Sequence, residues 1–264
     1  MSGFDWNGTR VLLTGASAGI GAELAVRLAE QGAIVGICAR RTDRLTEVVG
    51  RCQAHSPQSQ AWTVDLGDRE AVERLARDAV EAFGGIDVLI NNAGIPKRKH
   101  VLAVDADTVE HVMHLNYSSP VRLTLALLPQ MVERGHGLVV NVSSVAATLS
   151  SPAEGVYDAS KSALAVFSEA MAIDLWDTGV KVLTVYPGVV DTELFTIPDN
   201  DPLPDSMERM PVAEFVTALL GAIDDDRREV YIPAWFKDVV KHKANDTDGY
   251  LAGSAKYVRD QQAG

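Results

Sequence analysis

RVLLTGASAGIG, residues 10–21, opens as an apolar run and closes on three glycines, Gly15, Gly19 and Gly21. Behind it Ile20, Leu24 and Leu28 recur at helical spacing, so the stretch reads as a buried strand, a tight turn and a helix. Glycine lets the backbone come close to a pyrophosphate, and a helix N-terminus offers free N–H groups and the positive end of a dipole. A strand, a glycine turn and a helix at the head of a chain argue for a doubly wound α/β fold that binds a dinucleotide. The rest of the sequence continues that alternation to about residue 232.

The second strand, AIVGICAR, ends at Ala39 and Arg40, with Arg41 next. An acid there would bind an adenosine 2′-hydroxyl and repel a 2′-phosphate, whereas Ala39 leaves room and an arginine offers a planar, bidentate donor. NADP(H) is therefore expected in preference to NAD(H), with ordinary solvated charge as the alternative reading of the arginine pair. A helix over about 42–54 leads to the strand QAWTVDL, and Asp68 is placed to cap the helix that follows. A fourth strand, IDVLINNAG, precedes a basic loop, Lys97 to His100. That loop is expected to be a solvated charge run, with an anionic substrate tail as the alternative.

A second cluster lies in VVNVSSVAATLSSPAEGVYDASK, residues 139–161. Tyr157 and Lys161 are one helical turn apart, and a cation there favours the ionised phenol, which makes Tyr157 a candidate acid or base. A serine hydroxyl at the end of the strand can donate to the oxygen that the tyrosine protonates.

Taken together, the Thr-Gly-x-x-x-Gly-x-Gly turn, the NNAG run, the Ser-then-Tyr-x-x-x-Lys pattern and Pro187-Gly188 resemble the short-chain dehydrogenase/reductase family over about residues 8–232. The resemblance implies a Rossmann-type, seven-stranded parallel sheet in one domain over 1–264. It selects Ser144 over Ser143 and adds Asn116, from a long helix over about 106–134, giving a tetrad of Asn116, Ser144, Tyr157 and Lys161. For the cofactor it implies Gly15, Ser17, Gly19, Ile20 and Gly21 at the phosphates; Ala39, Arg40 and Arg41 at the ribose; Asp65 and Leu66 at the adenine; and Asn92, Ala93 and Gly94 beside the second ribose. Tyr157 and Lys161 also touch that ribose, and Pro187, Gly188, Val190 and Thr192 steer the chain over the nicotinamide. Residues 193–210 are then a substrate lid with Leu194, Phe195, Ile197 and Met207, and 233–264 a tail without assignment.

The formal charge of −12 disfavours a nucleic-acid surface. No apolar run approaches a membrane span, and the polar opening MSGFDWNGTR reads as lacking a secretion signal, so a cytoplasmic protein is expected. His111 and His114 share a helix face without further ligands at metal spacing, so no metal is expected. The helix after Tyr157 is apolar nearly all round, which argues for a homodimer or homotetramer.

The expected substrate is a small, mainly apolar carbonyl or alcohol compound. The alternatives are a 3-oxoacyl thioester and a protein that binds NADP without turnover, as sensor or scaffold. Acidic lid residues, Glu193, Asp199, Asp201, Asp205 and Glu208, would repel an acidic carrier protein. Of the two basic docking positions that carrier-dependent relatives use, Arg134 matches one and Ile173 stands at the other.

Overall fold

A computed structural model of the chain describes residues 3–203 and 207–263. Seven parallel strands form one sheet: β1 (Arg10–Thr14), β2 (Ile34–Ala39), β3 (Gln60–Thr63), β4 (Val88–Asn91), β5 (Gly137–Val142), β6 (Val180–Pro187) and β7 (Glu229–Ile232). They lie in the order β3-β2-β1-β4-β5-β6-β7, so the direction of winding reverses between β1 and β4. Both faces of such a sheet are covered by helices, which is why successive residues Val11, Leu12 and Leu13 are all fully buried. Val11 and Leu13 pack towards α1 (Gly19–Glu30), α2 (Thr42–Gln53) and α7 (Val212–Asp224). Leu12 packs on the other face with α3 (Arg69–Phe83), α5 (Ser119–Arg134) and α6 (Gly155–Asp174). The doubly wound, single-domain α/β fold expected from the sequence is the fold observed.

The sheet is locked at its lower end, where the strands begin. The Arg10 guanidinium binds Asp87 through Nε at 2.7 Å and Nη2 at 2.6 Å, and Arg134 reaches the same carboxylate at 3.2 Å. These partners draw the Asp87 carboxyl below its usual range against the opposing effect of burial. Arg134 thus also holds the Ile86 carbonyl beside Asp87.

Two elements depart from expectation. The long helix over 106–134 is broken into α4 (Ala106–Met113) and α5 by a π-helical turn, His114–Ser118, centred on Asn116. The unassigned tail folds as α8 (Phe236–Asn245) and α9 (Thr247–Ala263). It returns to the loop after β5, where Lys243 Nζ donates to the Thr148 carbonyl at 2.7 Å and the Tyr250 hydroxyl to that of Ser150 at 3.0 Å.

Candidate active site

The site sits above the carboxyl ends of the strands, at the reversal between β1 and β4. Thr14, the last residue of β1, accepts from the amides of Asn92 and Ala93 on its hydroxyl at 3.1 and 3.0 Å. The Asn92 side chain donates back to the carbonyls of Thr14 and Gly15. The NNAG run is therefore stitched to the glycine turn. Asn91 Nδ2 continues inward to Thr124 and to Asn141, and Asn141 Nδ2 to Ser168.

The glycine turn fits a phosphate. Gly15 (φ 71°) and Gly19 (φ 56°) have left-handed backbones, and a Cβ on Gly21 would lie 2.5 Å from the Gly15 carbonyl oxygen. Helix α1 starts after Ala18 with no side-chain cap, so the first amides carry no side-chain acceptor. Thr192 hangs directly over the turn, its methyl 3.0 Å from where a Gly19 Cβ would stand. Asp65 accepts from the Gly67 amide at 2.9 Å, and Leu66 holds the Ser119 hydroxyl through its carbonyl.

At the ribose end the two arginines are placed differently. Arg40 stands exposed, and it is Arg41 that reaches the turn, donating to the Ser17 hydroxyl at 3.0 and 3.2 Å. Arg41 and Arg44 together grip the carboxylate of Glu193, which they hold down at a pKa of about 2. Arg44 escaped the sequence reading, although it lies three residues beyond Arg41 and hence on the same helix face. Thr14 is the first residue of the Thr-Gly-x-x-x-Gly-x-Gly motif, but its hydrogen bonds to the NNAG amides come only from the fold.

Two of the proposed catalytic residues, Asn116 and Lys161, meet at Gly94. A Cβ there would meet both Asn116 Oδ1 and Lys161 Nζ at 3.2 Å, so only glycine leaves room for the two polar groups. Asn116 is fully buried and exchanges two hydrogen bonds with the Ile95 backbone, at 2.8 and 2.9 Å. Its Nδ2 also donates to Ser160, whose hydroxyl donates to the Tyr157 carbonyl at 2.7 Å. The π-helical turn is what carries the Asn116 amide into this position. Lys161 Nζ donates to the Val142 carbonyl at 2.9 Å, and burial pulls its pKa down to about 8.

Lys161 Nζ lies 5.8 Å from the centre of the Tyr157 ring. The phenol is not drawn down as the lysine spacing predicts; burial pushes it above its ordinary value, with Glu154 and Asp158 acting in the same direction and Ser144 and Arg98 against it. Ser144 caps the short turn after β5, its hydroxyl accepting from the Ala146 amide at 3.1 Å.

Pro187 ends β6, and Gly188 donates to the Ile232 carbonyl while lying against Phe236 of α8. Val190 is buried and forms a bridge to Met210. Leu194 and Phe195 lie in a short turn at its start, whereas Ile197 and Met207 are exposed. Asp205 falls outside the described residues.

The basic loop after NNAG is not a solvated run. Arg98 is 4% exposed, Lys97 pairs with Asp199 at 2.5 Å, and Lys99 lies between Asp199 and Asp201. His114 Nε2 lies 3.0 Å from the Gly67 carbonyl. Among the described residues no group of three or more potential ligands is gathered for a metal, and no helix is long and apolar enough to cross a membrane.

A dinucleotide-binding fold whose switch point gathers a Tyr-x-x-x-Lys pair, a strand-end serine and a buried asparagine defines a class of nicotinamide-dependent oxidoreductases. Residues 9–201 match the short chain dehydrogenase family, and the chain belongs to that family. It is 37% identical over 188 residues to the mouse dehydrogenase/reductase SDR family member 7B, covering 70% of this chain and 58% of that protein. To a fatty acyl-CoA reductase of Mycobacterium tuberculosis it is 39% identical over 198 residues, 74% of this chain and 67% of the relative. A short-chain dehydrogenase from Sphingobium yanoikuyae, solved with NADPH, superposes with a TM-score of 0.79 at 30% identity, over 90% of this chain and 93% of that one. Structures of this fold hold NADP and NAD alike.

Proposed function

We propose that the chain transfers hydride between NADP(H) and the carbonyl or alcohol carbon of a small, mainly apolar substrate. The observation that carries this reading is the meeting of Asn116 and Lys161 at Gly94, with the Tyr157 ring centre 5.8 Å from Lys161 Nζ and Ser144 just beyond the end of β5.

The bound nicotinamide supplies or receives the hydride. Everything else falls to the chain. Ser144 donates to the carbonyl oxygen, and Tyr157 delivers the proton that this oxygen needs as the carbon is reduced. A phenol held above its ordinary pKa is present as the acid at neutral pH, the form that carbonyl reduction requires. Lys161 holds a positive charge one helical turn away and is the route by which the proton is replaced, with Asn116 fixing the turn beneath it. The glycine turn and the α1 amides take the pyrophosphate, and Ser17, Arg41 and Arg44 form the cluster that suits an adenosine 2′-phosphate.

Leu194, Phe195, Ile197 and Met207 favour an apolar substrate body. A thioester is the second reading, supported by the likeness to a fatty acyl-CoA reductase. The deciding experiment follows NADPH oxidation against ketones, aldehydes, quinones and acyl thioesters, with Tyr157→Phe as control. Tyr157→Phe is expected to bind NADPH normally and to lose turnover by about a thousandfold, within the usual range for removing one general acid. Turnover of the variant near wild-type levels would remove Tyr157 from the chemistry. Failure of every carbonyl tested would return the protein to a cofactor-binding role.

A further inference from the structure

We propose that Arg98 is a positioning residue for the reaction: it bolts residues 195–201 across the site and ties that closure to the first turn of the helix that carries Tyr157. The inference rests on the reading of Tyr157 given above and concerns what holds the substrate side of the site shut.

Four hydrogen bonds join this one residue to the lid. Its Nε donates to the Asp201 carbonyl at 2.8 Å and its Nη2 to the Phe195 carbonyl at 3.1 Å, so one planar fork spans the whole segment. Its amide donates to Asn200 Oδ1 at 2.7 Å, and its carbonyl accepts from the Asp201 amide at 2.8 Å. The guanidinium also lies over the Phe195 ring, 5.4 Å from its centre. Lys97 and Lys99 flank these bonds with ion pairs to Asp199 and Asp201.

The opposite side of the same loop meets the catalytic segment. Lys99 donates its amide to the Ala153 carbonyl at 2.7 Å. Arg98 Nη1 lies 3.9 Å from Oε1 of Glu154, the residue immediately before α6. Lid, loop and Tyr157 helix are thus joined through a single buried cation. Nη1 is buried without a hydrogen-bond acceptor among the described residues. Ala153 (φ 61°) and Asp199 (φ 60°), anchor points on either side, both have left-handed backbones that a side chain disfavours. An unpaired donor and two strained residues in one small region mark a contact that opens and closes rather than a permanent piece of core.

The test uses the full-length enzyme with NADPH bound, 4-nitrobenzaldehyde as the carbonyl probe, and chymotryptic cleavage after Phe195 as a second readout. Arg98→Gln is expected to raise KM for the aldehyde and the rate of cleavage about tenfold each, while the Kd for NADPH stays within about twofold. Arg98→Lys keeps the charge but lacks the fork, and is expected to rescue neither. Asn200→Ala removes the half-buried acceptor of the Arg98 amide without emptying the interior, and is expected to shift both readouts in the same direction by a smaller factor; it decides the matter if Arg98→Gln does not fold. Unchanged KM and cleavage in the folded variants would overturn the proposal, as would full rescue by Arg98→Lys, which would assign the effect to charge alone. If Tyr157→Phe proves active, the reading of the acid fails while cleavage after Phe195 still tests the bolt.

Discussion

At the scale of single residues, the site is a set of ionisable groups that burial has moved away from their ordinary states. Asp158 follows Tyr157 directly, and burial pushes its carboxyl up to about 7, partly offset by the hydrogen bond from the Ser151 amide. A group with a raised folded pKa costs nothing while both states are protonated, below pH 3.8, and its penalty is complete once the pH has risen through about 7. Asp158→Asn keeps the acceptor for Ser151 and removes the charge. The variant should therefore melt higher than wild type at pH 8 and together with it at pH 3.5, as read by thermal unfolding at the two pH values. A melting difference that does not depend on pH would mean that Asp158 is not carrying a buried charge in the folded protein.

At the scale of elements, the loop between β6 and α7 gathers its function from the segments it touches. Its start meets the cofactor side, where Glu193 lies between Arg41 of the α2 cap and Arg44 of α2 itself. All three side chains are about half exposed, so the pair adds little to stability. On the proposed reading its effect falls on cofactor choice, because the Glu193 carboxylate sits on the two cations assigned there to a 2′-phosphate. Glu193→Gln should tighten NADPH binding by roughly threefold to tenfold at low ionic strength and NADH binding less, with the difference shrinking as salt is added. Fluorescence titration of both cofactors at two salt concentrations measures this, and an equal effect on NADH would show that the carboxylate does not act through the phosphate. Farther along the same loop, the carbonyls of Phe195 and Asp201 accept from Arg98 in the segment after β4.

For the whole molecule, the outstanding feature is an apolar strip left in water. Val166, Ile173 and Trp176 of α6 and the turn after it are 64%, 74% and 64% exposed, and Leu125 on α5 is 56% exposed. Residues seven apart share one helix face, so Val166 and Ile173 belong to a single surface. A surface of this kind is expected to be covered by a second copy of the chain, as the all-round apolar pattern of the helix predicts. Sedimentation of the wild type should give a dimer or tetramer, and Ile173→Glu should shift it towards the monomer. A monomeric wild type at micromolar concentration would leave the strip to another partner.

Much of this was written locally. The run from Arg10 to Gly21 determined the strand, turn and helix, because apolar spacing and glycine backbone freedom act within a dozen residues. Tyr157 and Lys161 are fixed on one face of α6 by helical geometry, and the seven-stranded, doubly wound sheet follows from the repeated alternation of strand and helix. What the sequence could not decide was which distant segments meet. Lys97 to Lys99 look like any solvated charge run until Asp199, Asn200 and Asp201, about a hundred positions away, are folded against them. Arg40 and Arg41 are indistinguishable as neighbours, and only the packing of α2 beside the glycine turn brings Arg41 to Ser17 and leaves Arg40 in water. The direction of the Tyr157 shift was also a tertiary matter. A lysine one turn away favours the ionised phenol, but burial is a property of the surrounding fold, and here it pushes the phenol up against the hydrogen bond with Ser144 and the charge of Arg98.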